Sequence, residues 1–416
     1  MLKVLIGLFF LPFGASVCSP SITRAQGAKA RSEEVALTIP LSADSWNFQP
    51  GTVEFLPAAP AIGSVTPPGP AMRITGRAGG VVVAKNTDFS EGVIDFDMQP
   101  TDSNFASFYF HRQDAMETEC FYLRPGRGAG RPDIMEGVQY TPVIKGVSCW
   151  NLLPHYQGNA NFRQETWNHI RILIAGRQML VYVNSDTRPT LTIPRLEGNT
   201  THGSFGFDGQ MTVAHLVVRP KPEIGQAPKT EGRQRSDGGW LSGPEGFDPT
   251  DNDPRYLRQW QVTQPDTIPA GIDFGKNLLP GKRSAWSPIR AERRGLVNLT
   301  RLFGGNLPLR YEGGAPRRIV WLKTTLRADR EWNYKIHLGF TNDVWVFLNG
   351  QYLYIDKNYY DEPSMKTPRG RVSIENCSFN LPLKAGANEL LIGVGNDFFG
   401  WGIAARLDEV DGVKIE

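Results

Sequence analysis

The stretch Phe340-Thr-Asn-Asp-Val-Trp-Val-Phe-Leu-Asn-Gly-Gln-Tyr-Leu-Tyr354 decides how this 416-residue chain is read. Apolar runs flank Asn349-Gly350, and an Asn-Gly dipeptide in that setting is the strongest short-range hairpin signal, since both residues accept the positive φ of a type I′ turn. Leu383-Lys-Ala-Gly-Ala-Asn-Glu-Leu-Leu-Ile392 reads as a second hairpin, turning at Gly386. Further short runs precede and follow them, at residues 318–323, 332–338, 371–374 and 402–407. Gly, Pro and Asn turns separate these runs, and no helical pattern of comparable length competes with them.

The same signature recurs upstream. Alternating runs at 92–98, 106–112, 119–124, 169–174, 179–183, 204–207 and 212–218 predict a first sandwich over residues 35–220. Residues 221–254 are rich in Pro, Gly and charged residues and poor in apolar ones, which marks a linker. Residues 255–416 form the second unit. The fold class expected is therefore all-β, with two β-sandwich (jelly-roll) domains joined by a polar linker.

Lys3, the apolar run Val4–Phe13 and the small residues after it give residues 1–25 the form of a secretory signal, so an extracytoplasmic location is expected. The apolar run is shorter than the roughly 20 residues a spanning helix needs, so no transmembrane anchor is expected in the mature chain. Net charge is +3 with the two signs interspersed, which leaves no electrostatic footprint for nucleic acid. In an oxidising compartment Cys120 and Cys149 are the expected disulfide, closing a loop worth about 3–4 kcal/mol, with Cys377 left free.

Strand alternation sorts the first domain's side chains. Phe108 and Phe110, Phe121 and Leu123, and Ile94, Phe96 and Met98 point to the core. Asp95, Asp97, Tyr109, His111, Tyr122 and Arg124 are then expected to share the opposite sheet face. Such a set suits a carbohydrate, because aromatic faces stack on sugar rings while carboxylates and guanidinium groups hydrogen-bond hydroxyls. It also suits an ordinary solvated face. The loop Arg124–Asp133 is glycine-rich and basic; through Arg127 or Arg131 it could clamp an anionic group, or it is a plain hairpin connection.

In the second domain Asn342-Asp343 is read as an Asx turn, with Asp343 in a structural calcium site as the alternative. No other cofactor is called for. Trp345 is read as packing. Trp401, flanked by Gly400 and Gly402, is read as an exposed sugar platform, and Tyr352, Tyr354, Tyr359 and Tyr360 as an aromatic rim near the hairpin.

Phe89-Ser-Glu-Gly-Val-Ile-Asp-Phe-Asp-Met98, Thr166-Trp-Asn-His-Ile-Arg-Ile-Leu-Ile-Ala-Gly176, Val181-Tyr-Val-Asn184 and Gly203-Ser-Phe-Gly-Phe207 resemble the concanavalin A-like lectin and glucanase superfamily, especially its laminin G-like and keto-glycoside hydrolase-like branches. That resemblance implies a concave, ligand-holding sheet face. Gly339–Gly350, Leu383–Leu390 and Gly400–Arg406 resemble the galactose-binding-like jelly rolls attached to bacterial glycoside hydrolases. The glucanase branch sets its acids as Glu-x-Asp-x-x-Glu, whereas Glu91, Asp95 and Asp97 stand here as Glu-x-x-x-Asp-x-Asp. Binding of carbohydrate or glycoconjugate without catalysis is therefore the leading expectation. A glycoside-acting hydrolase using Asp95 and Asp97 as a catalytic pair, and an extracytoplasmic protein-interaction scaffold, are the alternatives.

Overall fold

The computed structural model describes residues 36–76, 80–185, 187–220, 248, 250, 253–273, 275, 278–308 and 314–416. The expected signal at residues 1–25 and most of the linker lie outside them. Two antiparallel sheets built from residues 37–220 face each other, and two more are built from residues 259–415. The chain is all-β, with two sandwiches.

In the first sandwich one sheet runs Leu191–Ile193, Gln178–Val183, Asn168–Ala175, Gly92–Pro100, Met211–Pro220, Ala71–Ile74, Val53–Leu56. The other runs Val147–Ser148, Val138–Ile144, Glu117–Leu123, Ala106–Arg112, Ser204–Asp208, Val82–Ala84, Trp46–Asn47. Alternation drives the pairing of faces: Ile94, Phe96 and Met98 from one sheet meet Phe108, Phe121 and Phe207 from the other, all fully buried. The Phe96 ring lies 4.8 Å from Phe108 and 5.4 Å edge-on to Phe207. Each such side chain contributes about 1.5–3 kcal/mol by leaving water.

The second sandwich opposes an eight-stranded sheet to a four-stranded one. The expected hairpin forms between Asn342–Leu348 and Gln351–Asn358, with Asn349 at φ 52° and Gly350 at φ 75°, the left-handed pair a type I′ turn demands. Val344 and Val346 enter the inter-sheet core, while Trp345 and Phe347 pack on the sheet's other face with Ile319 and Trp321, so this strand is buried on both sides.

Two strand expectations are corrected. Cys377–Leu383 pairs with Trp332–Phe340 in the four-stranded sheet, whereas Gly386–Asn396 pairs with Arg318–Ala328 and Asn342–Leu348 in the eight-stranded one. The turn at Gly386 is thus a crossing between sheets, not a hairpin. Asn388 holds the crossing by donating to the carbonyls of Lys384 (2.8 Å) and Gly386 (3.1 Å) and accepting from Lys384 N. Residues 371–374 form no strand because their backbone groups are taken elsewhere: Val372 N donates to Asn151 O of the first sandwich, and Asn376 receives Ser373 N and donates to Arg371 O.

The expected disulfide is absent, and Cys120, Cys149 and Cys377 are all free. Strand Val138–Ile144 intervenes between the strand of Cys120 and Val147–Ser148, which leads directly into Cys149. Two strand spacings are about 9.5 Å, past the ~7 Å Cα limit for a bridge.

The two sandwiches pack as one unit spanning residues 35–416. The core cluster of the first runs on into Leu296, Val372 and Ala404 of the second, and Asn151 Nδ2 donates to Gly400 O at 2.7 Å. Asp248, in the stretch read as linker, is tied to the second sandwich: it accepts from Arg294 N at 3.0 Å and from Arg258 at 3.2 Å.

Candidate functional site

The outward face of the sheet carrying Ala106–Arg112 and Glu117–Leu123 is only partly open to solvent. The second sandwich roofs part of it, enclosing a cavity of about 410 Å³. Its floor is the alternate residues of neighbouring strands, Ser107 and Tyr109, Cys120 and Tyr122, Thr141 and Val143, with Asp208 beside Ser107 in register. Trp150 and Phe105 form apolar walls. Tyr360, Arg371, Phe398 and Phe399 come down from the second sandwich.

Aromatic packing joins the two halves. Trp150 stands edge-on to Tyr360 (5.1 Å), Phe399 (5.6 Å) and Phe398 (6.2 Å), and the Arg371 guanidinium lies 4.9 Å from its ring. Arg124 closes one end: it donates to the Tyr122 hydroxyl at 2.9 Å, to Gln157 at 2.9 Å and to Gln139, and Tyr122 donates to Gln139 at 2.8 Å. The basic loop begins here as the short turn Pro125–Gly128, from which Arg127 donates to the Tyr360 hydroxyl at 2.8 Å.

Burial sets the titration of the floor. It raises Tyr109 well above the ordinary phenol range, pushes Tyr122 up to about 12 and raises the Cys120 thiol, so all three are neutral at physiological pH. Burial also raises Asp208, against a lowering backbone hydrogen bond from Gly209.

Of the residues expected to share one face, Tyr109, Tyr122 and Arg124 meet in this cleft. The others do not. Asp95 and Asp97 belong to the opposite sheet and point away from the cleft, because the two sheets of a sandwich turn their outward faces in opposite directions. There they join a cross-strand charge network. Asp95 accepts from Arg171 Nε at 2.7 Å and from Arg219, and lies 3.4 Å from His169 Nε2. Asp97 meets His169 Nδ1 at 2.9 Å and His215 Nδ1 at 3.5 Å. Burial opposes ionisation of Asp95, but the bonds from His169, Arg219 and Arg171 outweigh it and hold the carboxyl well below its ordinary range. A group so held cannot carry the proton of a general acid at neutral pH. His169, bonded to Asp95 and Asp97, is raised to about 9.

His111 is also corrected. A β-bulge opposite Ser204 and Gly206, with His111 itself at φ 48°, ends the alternation one residue early and turns the ring inward. It is fully buried beside Phe89 and Phe110, with Nε2 donating to Ser90 O at 2.7 Å, and burial lowers it to about 4.

Trp401 is not an exposed platform. It is fully buried, its indole N–H donating to Gly304 O at 2.8 Å and Arg318 lying 5.1 Å over its ring. Its glycine neighbours reflect close approach rather than exposure: a Cβ on Gly402 would stand 2.5 Å from Val297 O. Asp343 is buried and accepts from Arg317 and Tyr359, each at 2.6 Å. Arg317 thus sets a positive charge beside that carboxylate, and no group of three or more His, Cys, Asp or Glu among the described residues is arranged to hold a metal. Of the expected aromatic rim, Tyr360 reaches the cleft, while Tyr359 serves Asp343 and Tyr354 stacks on Phe379 at 4.3 Å. Trp150, Arg371 and Asp208 are cleft residues that pattern reading passes over. Asp208 alone had a legible signal, standing two residues beyond Gly206 on the non-core side of its strand.

No family model and no curated protein matches the chain. Among solved structures, the chain is similar to a carbohydrate-binding module, CBM66, from Bacillus subtilis, with 11% identity and a TM-score of 0.27 over 44% of this chain and 92% of that one. It is also similar to a β-glucanase of Bacillus licheniformis (10% identity, TM-score 0.30, 46% of this chain and 100% of that one). A galectin of Caenorhabditis elegans aligns at 14% identity and TM-score 0.24 over 44% of this chain and 100% of that one. At these scores the likenesses carry no argument about function or residue roles. Among the described residues no helix is long and apolar enough to cross a membrane.

Proposed function

We propose that this protein binds carbohydrate or glycoconjugate in the cleft between its two sandwiches and does not cleave it. One observation carries the reading: a cavity of about 410 Å³ joins aromatic walls to a small set of converging polar groups. Concave, mostly apolar sites with a few fixed polar groups are what small ligands use. Tyr109, Trp150 and Tyr360 offer ring faces and edges to the apolar side of a sugar, and Ser107, Thr141, Asp208 and the arginines offer partners for its hydroxyls.

The absence of cleavage rests on the lining. Glycoside hydrolysis usually engages two carboxyl groups, roughly 5–9.5 Å apart. Among the described residues the cleft's lining holds one, Asp208. Asp95 and Asp97 belong to the other sheet, so the proposed binding does not engage them. Export is part of the proposal and rests on residues 1–25.

The test is a glycan array followed by calorimetry on the wild type and on Tyr109→Ala and Trp150→Ala variants whose folding is checked by circular dichroism. Binding to one glycan class, weakened about tenfold or more in folded variants, supports the reading. No response to any glycan sinks it in favour of a protein-interaction scaffold. Sugar release from a polysaccharide panel, lost in Asp208→Asn, replaces binding by catalysis.

A further inference from the structure

Arg371 is 1% exposed and its side chain enters the cleft against Trp150. Its guanidinium is poorly satisfied for a buried cation. Nη1 donates to Arg369 O at 3.3 Å, Nε has no hydrogen-bond partner among the described residues, and the carboxylate it pairs with, Glu136, is 3.8 Å away, beyond hydrogen-bond distance. Glu136 is moreover shared. Arg369 lies 3.3 Å from it and Arg127 3.9 Å.

The neighbouring cations gain little compensation. Among the described residues Arg124 is bonded only to neutral groups: Tyr122, Gln139, Gln157 and the Glu136 carbonyl. Arg127 has Asp361 at 3.8 Å, and that carboxylate is more than half exposed. Burial, with the charge of Arg124 behind it, lowers Arg371 to about 10, the mark of a cation short of anionic partners. Asp208 lies on the strand second from that of Tyr122, about 9.5 Å across the sheet, which leaves the span of a sugar ring between it and the arginine end.

Resting on the carbohydrate reading above, we infer that the cleft takes an acidic saccharide, with a carboxylate or sulfate group of the ligand seated against Arg371 and Arg127. A buried guanidinium whose one carboxylate partner is shared and beyond hydrogen-bond distance is poorly compensated, and a two-oxygen anion completes it in the geometry that arginine, unlike lysine, is built to hold. Stacking on Trp150 and Tyr360 fixes the guanidinium plane before the ligand arrives.

The full chain is titrated by calorimetry with an oligogalacturonate against its methyl ester, and with a sulfated carrageenan oligosaccharide against its desulfated form, beside the neutral glycans of the array. The two pairs distinguish carboxylate from sulfate. The acidic member of at least one pair is expected to bind about tenfold or more tightly, with R371M and R127Q each removing most of that preference. Thermal unfolding checks both variants, and R127Q, at the cleft's rim, carries the test if R371M does not fold. Binding confined to neutral glycans, equal binding within both pairs, or a preference that survives the substitutions in folded protein overturns the inference and leaves the carbohydrate reading standing. No binding to any glycan, acidic or neutral, overturns that reading and the inference with it.

Discussion

On strand Gly92–Pro100 the side chains that turn from the core include Asp95 and Asp97; on Ala106–Arg112 and Glu117–Leu123 they include Ser107, Tyr109, Cys120 and Tyr122. Both faces belong to the same sandwich and both obey the same period of two. Across the first, each acid stands directly opposite a cation of strand Asn168–Ala175, Asp95 against Arg171 and Asp97 against His169, so the charges neutralise one another in place. The second carries neutral, aromatic side chains and is roofed by Tyr360, Phe398 and Phe399. A face that satisfies itself has nothing left for a ligand. A face that is concave, covered and short of anions does.

The contrast breaks most readily at Trp150, the ring shared by both sandwiches. Trp150→Ala is expected to cost about 3–5 kcal/mol in denaturant unfolding and to abolish measurable glycan binding. Retained binding would move the ligand out of the cleft.

Asp95→Asn should separate the faces in the other direction. Its two arginine partners are about one-third exposed, so the loss is expected near 2–3 kcal/mol, below that of a fully buried pair. Glycan affinity should stay within about twofold of the wild type, as expected of a site on the opposite sheet.

The charged face also has a pH signature. His169 is raised from 6.5 to about 9 by its carboxylate partners, so its contribution is fully present below pH 6.5 and is lost as pH rises through 9. Asp95, held low, contributes stability that is present above the ordinary carboxylate range and lost as pH falls through its folded value. The free energy of unfolding measured from pH 6.5 to 9 should decline in the wild type and flatten in His169→Gln. An unchanged slope would remove His169 from the network.

The smallest effect is expected at the hairpin. A Cβ at Gly350 meets nothing within 4 Å, so Gly350→Ala pays only for its φ of +75°, about 1 kcal/mol, and leaves glycan affinity unchanged.

Much of the fold was legible because alternation and turn residues act locally. The strands around Phe96, Phe108 and Phe121, and the Asn349-Gly350 turn, lie where their side-chain pattern puts them. The site was half legible. Tyr109, Tyr122 and Arg124 follow from alternation, but alternation names an outward face without saying to which sheet it belongs, and Asp95 and Asp97 fell on the wrong one. His111 was lost to a single bulge that reverses the phase. The roof was illegible for a different reason: Tyr360 and Arg371 reach the cleft from more than 200 residues beyond Tyr122, through contacts such as Asn151 with Gly400 and Val372 that no local pattern announces. Trp401 misled because glycine neighbours signal backbone proximity as readily as exposure.

Hydroxyl-radical footprinting of the wild type, with and without the best-binding glycan, tests the assignment of ligand to face most directly. Protection at Phe105, Trp150 and Tyr360, with His169 and His215 unchanged, is the predicted result. Protection at His169 and His215 with the cleft aromatics unaltered would contradict it.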